Sequence, residues 1–130
     1  MKNILFTLLF FLSINIMAQD NKMMIRISEI EIDSVYLHEY IHILQVESKA
    51  SVQKEPGVIA IFPMYQKESP TQIRILEIYA NHAAYEDHIK SPHFQAYKSG
   101  TLKMVKSLKL IDMNCIDPET MEELFRKLNQ

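Results

Sequence analysis

Glu77, His88 and His93 are close enough in sequence, and of the right types, to move a proton on a bound small molecule. They lie in the run E-I-Y-A-N-H-A-A-Y-E-D-H-I-K-S-P-H-F-Q-A-Y, Glu77 to Tyr97. A neutral imidazole takes or gives a proton near neutrality, and a carboxylate can hold such a ring in one tautomer. Glu77 alternates with Ile73, Ile75 and Tyr79 on one face of an apolar stretch. A carboxyl among such neighbours must be hydrogen-bonded or shifted in pKa. His88 and His93 flank a Ser-Pro break and can face one cavity from adjoining helical pieces. Arg26, Tyr79 and Tyr97 are candidate polar contacts to a substrate, and Phe62, Met64, Phe94 and Met104 a candidate apolar wall.

A second spacing competes with the first. His38-Glu39-Tyr40-Ile41-His42 is a literal H-E-x-x-H, which on a helix sets two imidazoles on one face as zinc ligands. The two histidines share their stripe with Gln45 and Lys49, whereas Leu37, Ile41 and Leu44 mark the other side. No third-ligand signature follows, so the pair is assigned to solvent and no metal is expected. His82, beside a helix start, is read as a surface residue.

The elements that must position these residues follow from periodicity and punctuation. Ile25, Ile27, Ile30 and Ile32 read as a strand over about Met24 to Ile32, bulged where the phase changes at Ser28-Glu29. Asp33 and Ser34 can cap a helix from about Ser34 to Lys54, with Leu37, Ile41, Leu44, Ser48 and Val52 on its stripe. Pro56-Gly57 ends it. Two strands, Val58 to Gln66 and Thr71 to Ala80, form a hairpin, and Pro63 puts the first at an edge or a bulge. That strand is apolar on both faces, so a second sheet, most simply from a second copy of the chain, is expected over it. Asn81 caps a helix to about Lys90, Ser91-Pro92 opens another to about Val105, and a last strand spans about Ser107 to Met113. The order is ferredoxin-like βαββαβ, an α+β fold. Asp117-Pro118 opens a C-terminal helix whose Met121, Leu124, Phe125 and Leu128 form a stripe expected to dock on the domain or on a partner.

Composition narrows the function classes. The chain has 130 residues and a formal charge of −2, with no basic run, which excludes a nucleic-acid footprint. Lys2, the apolar run from Ile4 to Phe11 and Ala18 match a cleaved signal peptide over residues 1–18 better than a membrane anchor. The expected mature protein is secreted or periplasmic, free of stable membrane association, with one domain over 19–113 and a helical extension over 114–130. Cys115 is the one cysteine, so no internal disulfide forms, and an inert, partly buried thiol is expected.

Four segments, R-I-S-E-I-E-I-D, E-P-G-V, R-I-L-E-I-Y and H-I-K-S-P-H-F-Q-A-Y, carry a resemblance to the antibiotic biosynthesis monooxygenase family, in particular its quinol-monooxygenase-like members. The likeness spans about Met24 to Met113. It implies a homodimeric α+β barrel with a pocket between sheet and helices, and places His88 and His93 on the family's H-x-x-x-P-H pattern. The implied reaction is a monooxygenation of a small aromatic or quinol by dioxygen without a cofactor. The chain has no tryptophan. The haem-degrading branch uses a Trp and a His at places that here hold His88 and Tyr97, so haem breakdown is disfavoured. The alternatives are a non-catalytic dimer binding a small hydrophobic ligand or haem, and an isomerase acting on a small oxygenated sugar derivative.

Overall fold

Capping and breaking residues set the element boundaries. Strand β1 (Met24–Ile32) ends at Asp33, whose carboxylate accepts the Val35 amide at 3.0 Å. A 3-10 turn over Ser34–Tyr36 then leads into α1 (Leu37–Lys54). Pro56 cannot extend the amide ladder, and the chain turns into the hairpin β2 (Val58–Gln66) and β3 (Ser69–Tyr79). Asn81 caps α2 (His82–Lys90) by accepting the Ala84 amide at 2.9 Å. Ser91 caps α3 (Pro92–Thr101) through the Phe94 amide, with Pro92 at the first helical position, where its missing N–H costs nothing. A 3-10 turn over Leu102–Met104 delivers the chain to β4 (Val105–Met113), and α4 (Thr120–Leu128) follows. This computed structural model describes residues 22–130. The expected signal peptide lies outside them.

The strands form one antiparallel sheet in the order β2-β3-β1-β4. The helices cover one face, where Ile30, Ile32, Tyr40, Leu44, Val58, Ile73, Ile75 and Tyr79 make the core. The α+β class and the βαββαβ order agree with the sequence reading. The dimeric α+β barrel does not: the sheet is open, with β2 and β4 as its two ends and no pairing between them. The inference of a covering sheet rested on the two-faced apolar pattern of β2. On the outer face, however, Ile78 in the middle of the sheet is only 9% exposed, and bare apolar surface is left on the end strands, at Phe62 and Met64 of β2 and at Met113 of β4.

Four further expectations are corrected. The phase change in β1 is not a bulge at Ser28-Glu29, because β1 pairs with β3 without a shift from Met24 opposite Tyr79 to Glu31 opposite Gln72. Ile25 and Ile27 serve the outer face, while Ser28, Ile30 and Ile32 turn inward and are buried. Likewise α1 buries Tyr40, Leu44, Glu47, Ser48 and Ser51, and Val52 is exposed. Pro63 does sit on an end strand, as expected. Asp117 holds the turn before α4 by accepting the Glu119 amide at 3.2 Å, but Leu124, Phe125 and Leu128 stay exposed and α4 does not dock on the domain. Cys115 is exposed, not partly buried.

The approach of α2 to the sheet is set at Gly57, whose carbonyl accepts the Ala80 amide at 2.8 Å. A Cβ on Gly57 would stand 2.5 Å from Ala84 Cβ, on the first turn of α2. Gly57→Ala is expected to destabilise the protein by about 1–3 kcal/mol through overpacking. In urea melts the double variant with Ala84→Gly should recover part of that loss relative to the sum of the single changes. A Gly57→Ala protein as stable as the parent would show that α2 docks elsewhere.

Candidate active site

A cavity of about 370 Å³ lies between the inner sheet face and α1–α3. Helix α1 packs on β2, and α2 on β2 and β3, away from β4 at the other end of the sheet, which leaves Leu108 and Leu110 exposed as one wall of the space. Phe94, Ile61 and Ile75 supply other apolar lining, and the polar groups reach it from five elements.

From the sheet, Glu77 projects inward beside Ser28 and Tyr79. Its Oε1 accepts from the Ser28 hydroxyl and its Oε2 accepts from the Tyr79 hydroxyl at 2.7 Å. A carboxylate in this apolar surface is tolerated because both oxygens are bonded. Burial first, then the Glu77 charge, raises the Tyr79 pKa well above its ordinary value, so Tyr79 stays a donor. Arg26 lines the cavity with its guanidinium 2.7 Å from Asp112 and 4.7 Å over the Tyr85 ring. Burial opposes its charge, yet hydrogen bonds to Asp112 and Tyr85 prevail and raise its pKa, so a fixed cation stands at this end.

The helices supply a second polar group. His88 is 3% exposed. Its Nδ1 is 3.0 Å from Glu55 Oε1, and its Nε2 is 3.7 Å from Glu47 Oε1. The same Glu55 oxygen is bonded to His93 Nε2. Glu47 is buried on the sheet-facing side of α1 and accepts from the Ser51 hydroxyl at 2.7 Å. Burial pushes its pKa up, against the Ser51 bond and the nearby histidines. Above them the Tyr40 and Tyr97 hydroxyls are 2.7 Å apart. Burial pushes Tyr97 up to about 12 and Tyr40 higher still. Both remain protonated, and if Tyr40 donates to Tyr97, the Tyr97 proton is left for a group in the cavity.

Of the residues singled out in the sequence, His88, Glu77, Arg26, Tyr79, Phe94 and Tyr97 line this cavity. His93 lies behind His88, joined to Glu55. Phe62 is on the outer face and exposed, Met64 borders a separate depression with Ile41 and Gln45, and Met104 is buried in the core. His38 and His42 are exposed, in agreement with their assignment to solvent. The carboxylate that holds the histidines is Glu55, whereas the sequence had suggested Glu77. Glu47, Glu55, Tyr40 and Ser28 were missed. Glu47 follows Tyr40 by seven and Leu44 by three, a helical stripe on which a glutamate is unexpected. Glu55 is the first residue of the E-P-G-V segment.

The family described as antibiotic biosynthesis monooxygenase matches residues 23–99, from β1 to the last turn of α3. The chain belongs to this family. A solved antibiotic biosynthesis monooxygenase-named protein from Bacteroides thetaiotaomicron is 46% identical, with a TM-score of 0.74 over 75% of this chain and 93% of the other. A monooxygenase-named protein from Lactobacillus acidophilus is 26% identical, with a TM-score of 0.70 over 74% of this chain and 46% of its own. A Nitrosomonas europaea structure of like name shares the fold, at 14% identity and a TM-score of 0.70 over 74% of this chain and 92% of the other. No curated protein matches. The antibiotic biosynthesis monooxygenase domain therefore contains every lining residue up to Lys98, while Leu108 and Leu110 come from β4 beyond it.

The Glu77 anchor can be tested by stability. Ser28→Ala and Tyr79→Phe each remove one hydrogen bond to the carboxylate, worth about 1.5–3 kcal/mol. The double variant, which strips both donors, should lose more than the sum in urea denaturation. Strict additivity would mean that Glu77 finds other partners.

Proposed function

We propose that this protein is a monooxygenase that oxidises a small hydroquinone-like aromatic with dioxygen in the cavity beside His88. The observation that carries this reading is the pinned imidazole. With Glu55 accepting from Nδ1–H, a neutral ring would carry its lone pair on Nε2, and His88 is among the residues that line the cavity. The cavity tyrosines are held protonated by burial, so they serve as donors and not as bases.

In the proposed reaction, a substrate hydroxyl gives its proton to His88 Nε2. The phenolate passes one electron to dioxygen, the two radicals combine at a ring carbon, and the hydroperoxide formed there loses water. One oxygen atom enters the ring and the other leaves as water, so hydroquinone and dioxygen give hydroxyquinone and water, without a flavin or metal. A phenol near pKa 10 and an imidazole near 6.5 leave a gap of about 5 kcal/mol for the first transfer. The Arg26 cation and the Tyr97 hydroxyl line the same cavity and are suited to stabilise the phenolate. Leu108, Leu110 and Phe94 suit an aromatic ring. The family match supports the oxidative class, and the leader-like sequence pattern over residues 1–18 supports export.

The test is oxygen uptake by metal-free protein with a panel of hydroquinones, corrected for autoxidation, together with ¹⁸O₂ incorporation into product. His88→Ala should lower kcat/KM by about 10²–10⁴, and Tyr97→Phe should lower it less. Uptake no faster than autoxidation would overturn the reading and leave ligand binding as the use of the cavity, and uptake undiminished in folded His88→Ala protein would remove His88 as the base.

A further inference from the structure

We propose that Glu55, His88 and His93 form a binding site for a divalent transition-metal ion of the zinc class, outside the cavity and sharing His88 with it. Three stretches supply the donors: the turn after α1, the last turn of α2 and the first turn of α3. One carboxylate oxygen and one nitrogen from each ring all lie within 4.8 Å of one another. Donors of one such ion stand about 3.0–3.5 Å apart when each bond is about 2.1 Å. The Glu55 Oε1 to His88 Nδ1 edge is 3.0 Å already. The Glu55 to His93 edge is a close hydrogen bond and must open slightly, and the rings, 6.4 Å apart between centres and inclined at 52°, must draw together. In the metal-free protein each imidazole spends an N–H proton on the shared oxygen, and an ion would accept the lone pairs at those two nitrogens while each neutral ring carries its proton on its other nitrogen.

The donor chemistry favours a particular class. Two imidazoles and one carboxylate suit zinc, cobalt or ferrous iron and do not suit magnesium or calcium, which take oxygen ligands. The three side chains are largely shielded, at 3%, 16% and 17% exposure for His88, Glu55 and His93. The ring behind the ligand is also supported. A metal on His88 Nδ1 requires N–H at Nε2, and that nitrogen faces Glu47, 3.7 Å away, in the carboxylate–histidine–metal order that orients metal-bound imidazoles. Loading would turn His88 from a proton acceptor into a donor on its cavity side, so the metal would switch oxidation off. That consequence rests on the reaction proposed above, whereas the binding itself does not.

The experiment is titration of metal-free, folded protein with Co²⁺ and Zn²⁺, followed by calorimetry and by the visible bands of bound cobalt. One ion per chain is expected, with affinity lowered at least about tenfold in Glu55→Gln and in His93→Ala. The exposed His38 and His42 pair is the competing site, and its double alanine variant should bind as the parent does. On the unmutated protein, imidazole ¹⁵N shifts should report zinc on Nδ1 of His88 and on Nε2 of His93. No uptake, uptake lost with His38 and His42, or unmoved His88 and His93 shifts would overturn the site without bearing on substrate oxidation.

Discussion

The ring of His88 is the point on which the helical layer depends. It is almost wholly buried, and carboxylates from α1 and from the turn just after it approach both of its nitrogens. Glu55 also holds His93, so one residue past the end of α1 ties that helix to α2 and α3 together. A buried polar group must be satisfied or it costs several kcal/mol, and even a satisfied cluster is often no more stabilising than apolar packing of the same volume. What the cluster contributes is geometry. The helices could slide over a greasy surface, but they cannot slide without breaking bonds to Glu55.

The sheet applies the same rule with a different outcome. Glu77 has its two oxygens bonded by Ser28 and Tyr79, both from the strands around it. It is therefore held by the sheet alone and does not position the histidines. Glu77 and Glu47 both line the cavity, and the Tyr79 and Tyr97 hydroxyls that line it with them are kept protonated by burial. Acid and base capacity is thereby divided by environment and not by residue type. Phenols that would titrate in water act only as donors here.

Most of the fold was legible because its signals are local. Asp33, Asn81, Ser91 and the Pro56-Gly57 turn mark ends that depend on a few neighbouring atoms, and all four act in the structure as their chemistry requires. The β1 pattern was harder, since a central strand with apolar residues on both faces gives the same broken alternation as a bulge. The site was half legible. Glu77, His88 and Tyr97 stand out as polar groups in apolar company, whereas Glu55 is a surface-type residue before a proline, and only tertiary docking of α2 gives it two histidines. Glu47 was recoverable in principle, but Leu37 and Val52 suggested a stripe rotated away from the true one. Phe62 and Met64 were misassigned for a simpler reason: in a strand apolar on both faces, alternation separates the faces without saying which one holds the helices.

The cavity itself is a consequence of unequal coverage. Helix α1 packs chiefly on β2, and α2 on β2 and β3, at the far end of the sheet from β4, so the inner face of β4 is left uncovered. Leu108 and Leu110 thus remain half-exposed on the face that elsewhere forms the core, and Arg26, paired with Asp112, lines the same space. Each 100 Å² of such surface that a ligand removed from water would contribute about 2.5 kcal/mol before the costs of association. A flat aromatic molecule is well matched to this space: its face can cover the two leucines while a hydroxyl on its edge points to the polar rim. A charged sugar derivative could use Arg26 but would leave the leucine wall wet, and a purely aliphatic ligand would cover the wall and strand the buried polar groups. The shape left by the helices therefore selects for an apolar ring with a polar edge before any chemistry begins.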